Sequence, residues 1–72
     1  MPATLNKNRH PLARARRARG LSQVALAREL GISQEALSAY ELEEKRPRPL
    51  RAAKIARYFG EDILTLFPRY FG

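Results

Sequence analysis

The chain has 72 residues, with 14 Lys and Arg against 7 Asp and Glu, one His and no Cys, so it carries a net charge of +7. A chain this short closes around one small core, which excludes a multi-domain enzyme and leaves no room for a deep substrate pocket. Without cysteine there is no disulfide framework, thiol nucleophile or zinc finger, and the composition fits a reducing, cytoplasmic setting.

Residues 1–10 are polar, contain two Asn and show no periodicity; they read as a flexible basic arm. Pro11 suits the first turn of a helix, and residues 12–19 are rich in good helix formers. Gly20 ends that helix in the usual way. Ser22 is an N-cap candidate for a second helix over residues 23–30, with Leu26, Ala27 and Leu30 on one stripe. Gly31 stops it, and Ser33 caps a third, over residues 34–42. Pro47 and Pro49 break the chain, with Pro49 placed to open a fourth helix that runs to Phe59 and closes at Gly60. Glu61 or Asp62 starts a short fifth helix carrying Ile63, Leu66 and Phe67, stopped by Pro68. No run alternates with period two, so no strand is expected. The longest nearly apolar run, residues 63–67, is far too short to span a bilayer.

Charge is laid down in blocks. Residues 1–20 carry Lys7, Arg9, Arg14, Arg16, Arg17 and Arg19 with no acid; residues 45–58 carry Lys45, Arg46, Arg48, Arg51, Lys54 and Arg57, again with none. Between them Arg28 stands alone against Glu29, Glu35, Glu41, Glu43 and Glu44. A strongly basic small domain points to nucleic acid, with the flanks gripping phosphate and the centre reading something else. Solvated helix faces would give the same basic runs. The Arg-rich start also has the composition of an organellar transit peptide, but Arg16 and its neighbours fall inside a helix that the fold needs.

The spacing between Gln23 and Leu42 carries the most information. Two short helices joined by about three residues, with a Gly in the turn, form the helix-turn-helix pattern. Ala27 is small where two helices must cross closely. Gly31 supplies the positive φ of a sharp turn, Ile32 plugs that turn, and Leu37 and Tyr40 bury the third helix at i, i+3 spacing.

The stretch GLSQVALARELGIS, residues 20–33, resembles the signature of the lambda-repressor-like, Cro-type helix-turn-helix regulators. The likeness runs from about residue 11 to residue 67 and includes KIARYFG, residues 54–60, as the fourth helix and its stop. The resemblance implies an all-α, compact five-helix bundle over residues 11–67, with the second and third helices as a DNA-reading unit. It implies Gln23 on a phosphate, and Gln34, Glu35, Ser38 and Ala39 facing base edges. It also implies an ion pair between Arg16 and Glu41. Lys45-Arg46-Pro47-Arg48 resembles the loop that follows the recognition helix in some phage repressors, which places basic residues along the backbone or in the minor groove. At one position the chain departs from the family: the Gly usual two residues after the Glu is replaced by Glu43, followed by Glu44.

The residue types agree with these roles. Gln34 can pair bidentately with adenine N6 and N7, and Glu35 can accept from cytosine N4. Ser38 offers a hydroxyl to a base, a phosphate or its own helix. Phosphate contacts are expected from Ser22, Gln23, Arg19, Lys45 and Arg46. Arg48, held extended between prolines, suits a narrow minor groove. The aromatic tail, residues 68–72, exceeds what so small a core needs, so Ile63, Leu66, Phe67, Tyr70 and Phe71 are expected at a homodimer seam. His10 has no partner in sequence that would make it a base or a metal ligand, and Glu43-Glu44 and Glu61-Asp62 point apart on a helix. No catalytic group, metal or cofactor is therefore expected. The reading is a sequence-specific regulator of double-stranded DNA, a cytoplasmic, nucleoid-associated repressor acting as a dimer on an inverted repeat. The alternative is a protein-interaction module, such as an antitoxin or adaptor, that binds DNA secondarily.

Overall fold

The computed structural model describes residues 10–71. Five helices follow one another: α1 (Pro11–Ala18), α2 (Gln23–Leu30), α3 (Gln34–Glu41), α4 (Pro49–Phe59) and α5 (Ile63–Leu66), with no strand among the described residues. Helices of eight residues are marginal alone in water, so burial and caps must hold them. Leu12, Leu26, Leu30, Leu37, Ile55 and Leu66 are fully buried and meet at the centre, where α2 packs on α3, α1 reaches α3 and α5, and α4 covers α5. Ala27 is also buried, and the missing side-chain volume lets the neighbouring helix approach.

The caps of α2 and α3 are those the sequence proposes. Ser22 Oγ accepts from Ala25 N–H and Ser33 Oγ from Ala36 N–H, both at 3.0 Å. Gly31 adopts φ +73°, and the amide of Ile32 returns to the Ala27 carbonyl at 3.0 Å, closing the turn between α2 and α3.

The end of α3 repeats that motif without a glycine. Glu43 lies at φ +61°, the one non-Gly residue with positive φ among those described. Its amide bonds to the Tyr40 carbonyl at 3.1 Å and that of Glu44 to the Ala39 carbonyl at 2.8 Å, the paired bonds of a Schellman turn. The departure from the family's Gly therefore leaves the turn in place and puts a β-carbon where it costs energy.

Two expectations need correction. The flexible arm over residues 1–10 lies outside the described residues except for His10, and His10 is buried. Its Nδ1 accepts from Leu12 N–H at 3.0 Å, making it the N-cap of α1. At the other end, Leu66, Phe67 and Tyr70 are buried in the core, so three of the five residues expected at a dimer seam are already covered. They join Leu12, Ile55 and Phe59 in one hydrophobic cluster, so burial within the chain itself accounts for them. Ile63 is half-buried, and Phe71 is 77% exposed.

Candidate nucleic-acid interface

The site grows from one buried ion pair. Arg16 Nε donates to Glu41 Oε2 at 2.8 Å and Nη2 to Oε1 at 3.2 Å, a bidentate grip, while Nη1 donates to the Leu21 carbonyl at 2.8 Å. Glu41 is 3% exposed. Three guanidinium hydrogens thus tie α1, the α1–α2 turn and the end of α3 to one another.

The Glu41 carboxylate has a further lone pair, and Gln23 takes it: Gln23 Nε2 donates to Glu41 Oε1 at 2.9 Å. That fixes the Gln23 amide with its oxygen turned away, toward α3, where it accepts from Gln34 Nε2 at 3.4 Å. A continuous polar chain runs from Arg16 through Glu41 and Gln23 to Gln34, from the interior to the first residue of α3. Gln34 and Glu35 are exposed, and Ser38, one turn further, is half-buried.

The residues expected on phosphate fall into two groups. Ser22 and Gln23 stand at the start of α2, where helix-terminal N–H groups favour an anion; the Ser22 hydroxyl hydrogen is not used by its cap bond. Lys45, Arg46 and Arg48 are exposed on the loop between α3 and α4. Arg48 is the extended residue at φ −68°, ψ 161° that opens α4. The Arg46 guanidinium lies 5.8 Å from the Tyr70 ring centroid. Arg19, away from that loop, stacks on two rings at once: its guanidinium sits over Tyr58 and Phe59, 5.2 Å and 5.0 Å from their centroids, and so clamps the end of α4.

Apart from the His10 cap, the contacts missed in the sequence join residues well apart in the chain. Tyr70 Oη donates to the Pro47 carbonyl at 2.9 Å. Arg51 Nη1 donates to Tyr40 Oη at 3.0 Å. His10 Nε2 lies 3.3 Å from Glu43 Oε2, and its ring meets Phe67 edge-on at 6.2 Å. Burial pushes the His10 imidazole below its ordinary 6.5, outweighing the upward pull of Glu43 and Glu41. The signal for His10 was its place before Pro11, since a proline in the first turn makes the preceding residue the cap.

Among the described residues no cluster of His, Cys, Asp or Glu could hold a metal ion, and no helix is long and apolar enough to cross a membrane. A family model described as helix-turn-helix matches residues 12–66. No curated protein and no solved structure matches the chain.

Proposed function

The chain belongs to the helix-turn-helix family, of the lambda-repressor/Cro-like kind, and from this membership, which makes it a DNA-binding regulator, we propose a sequence-specific repressor that binds an inverted repeat of double-stranded DNA as a homodimer. The observation that carries this reading is the junction of Gln23 and Gln34. The two side chains meet at the starts of α2 and α3, the two elements that such a motif turns toward DNA.

In this reading α3 enters the major groove. Gln34 reads adenine through the oxygen and the N–H that its bond to Gln23 leaves over, with Glu35 and Ser38 beside it. Ser22 and Gln23 hold one phosphate, while Lys45 and Arg46 hold the backbone and Arg48 reaches a minor groove. Arg19 supports the end of α4 more than it serves phosphate, given its seat over two aromatic rings. The exposed Leu64 and Phe71, with Ile63, are the apolar residues left near α5 for a second copy. Repression by covering a promoter requires no catalytic group.

Selection from a random duplex library of about 30 base pairs at near-physiological salt tests this. The expected product is an enriched inverted repeat with half-site centres ~10 base pairs apart. Retention without enrichment would leave only phosphate binding, and no retention would favour a protein partner instead.

A further inference from the structure

We propose that residues 68–71 form a strap that holds the basic loop between α3 and α4 in its DNA-contacting shape, with Tyr70 as the positioning residue. The proposal rests on the DNA-binding reading above. It concerns residues beyond the family match, which ends at residue 66.

The loop has little structure of its own. Past the Schellman turn, the Lys45 amide reaches the Ala39 carbonyl at 3.3 Å, and α4 begins only at Pro49. Prolines at 47 and 49 lock two φ angles near −65° and force Arg48 into an extended ψ, observed at 161°. Within Pro47-Arg48 the remaining soft torsions are ψ of Pro47 and φ of Arg48, the two that flank a single peptide plane. Tyr70 Oη donates to the carbonyl of that peptide at 2.9 Å. One hydroxyl thus grips the peptide plane that adjoins Arg48 and whose rotation would swing its side chain.

The same side chain holds the residue before it. The Arg46 guanidinium lies 5.8 Å from the Tyr70 ring centroid, within cation–π range. Tyr70 in turn is anchored: its ring packs on Phe67 at 6.3 Å, and its amide bonds to the Phe67 carbonyl at 2.9 Å. Phe67 itself is buried in the core. The route from core to loop is therefore Phe67, Tyr70, then Arg46 and Pro47 together. Tyr70 acts on DNA only through these two residues.

The test uses the full chain with Tyr70→Phe, which keeps the ring and removes the hydroxyl. Trypsin has one cleavable bond within the loop, after Lys45, because prolines follow both Arg46 and Arg48. Cleavage there, divided by cleavage after Arg57 inside α4, separates loop opening from global unfolding. The ratio should rise about fivefold in the variant, as expected for loss of a hydrogen bond of ordinary net strength. Binding to the enriched duplex should weaken about three- to tenfold, with a salt slope shallower by about one phosphate contact. Adding Arg48→Ala should cost Tyr70→Phe less than Arg48→Ala costs the wild type, because the hydroxyl acts on binding through the peptide plane that aims Arg48. An unchanged cleavage ratio overturns the strap whatever the DNA result. A raised ratio with an unchanged salt slope, or with independent effects in the double variant, overturns its role in binding. If the wild type retains no duplex, the DNA-binding reading fails and the strap's purpose with it, even where the ratio rises.

Discussion

Gln23 Nε2 donates to Glu41 Oε1 at 2.9 Å across 18 residues of sequence, and this bond decides which way round the Gln23 amide lies. A carboxylate can only accept, so Gln23 must offer it the nitrogen and turn its oxygen to Gln34. Gln34 must then present an N–H to Gln23, leaving its oxygen and its second N–H for a ligand. That outward pair of one acceptor and one donor matches the N6 and N7 edge of adenine. A buried charge, placed for stability, thus sets the polarity of the proposed reading side chain.

Gln34→Ala is expected to cost ~1–3 kcal/mol of discrimination at one base pair, with preference elsewhere in the half-site kept. Competition between duplexes that differ at single positions measures this directly. An unaltered preference profile would remove Gln34 from the readout.

Breaking the Arg16–Glu41 pair from one side should be severe. Glu41→Ala strands a guanidinium that is mostly shielded from water and should destabilise the fold by about 3–5 kcal/mol. Replacing both partners with apolar residues, Arg16→Met with Glu41→Leu, should cost less than the single change, because no buried charge is left unpaired. Urea unfolding compares the two. A double variant no more stable than Glu41→Ala would mean that the bond from Gln23 and the Leu21 carbonyl matter more than the charges.

The motif between Gln23 and Leu42 was legible because its signals are local. Ser22, Ser33 and Gly31 each act on residues within five positions, and Leu26, Leu30 and Leu37 follow helical spacing. The tail and the pairing of His10 with Glu43 were not legible, because they depend on residues far along the chain. The cap that His10 gives α1 is local and was marked by Pro11. Tyr70 finds Pro47 across 23 positions, and His10 finds Glu43 only once α1 and α3 have packed. Aromatic excess at the C-terminus suggested a seam between copies, yet Phe67 and Tyr70 close the protein's own core. Counting aromatics cannot tell a core from an interface; only the packing of α5 can. Glu43 lies between these cases, since its position in the family pattern marked a turn but not the turn's survival at φ +61°.

Glu43 holds a conformation that favours glycine, at about 1–2 kcal/mol for a residue with a β-carbon. Glu43→Gly removes that strain and also the contact with His10, whereas Glu43→Ala removes the contact and keeps the strain. The Gly variant should therefore be more stable than the Ala variant by about 1 kcal/mol in urea at neutral pH. Equal stabilities would show that the turn relaxes away from positive φ when the side chain is cut back.

Stability should also depend on pH through His10. Its Nδ1 can accept from Leu12 N–H only while unprotonated, so the cap requires the neutral ring with its hydrogen on Nε2, facing Glu43 at 3.3 Å. Glu43 and Glu41 pull toward the charged form, but burial beside Phe67 outweighs them and lowers the folded pKa below 6.5. The unfolded chain then binds the proton more readily than the folded one. The stabilising contribution is complete above pH 6.5 and is lost as pH falls from 6.5 toward the folded value. His10→Asn keeps a good capping side chain without a titrating group. Wild-type melting temperature should fall between about pH 6.5 and pH 5, above the range where carboxylates titrate, while that of His10→Asn stays level. Parallel curves for the two proteins over that interval would show that the His10 pKa is the same folded and unfolded, with the ion pair to Glu43 offsetting the loss of the cap.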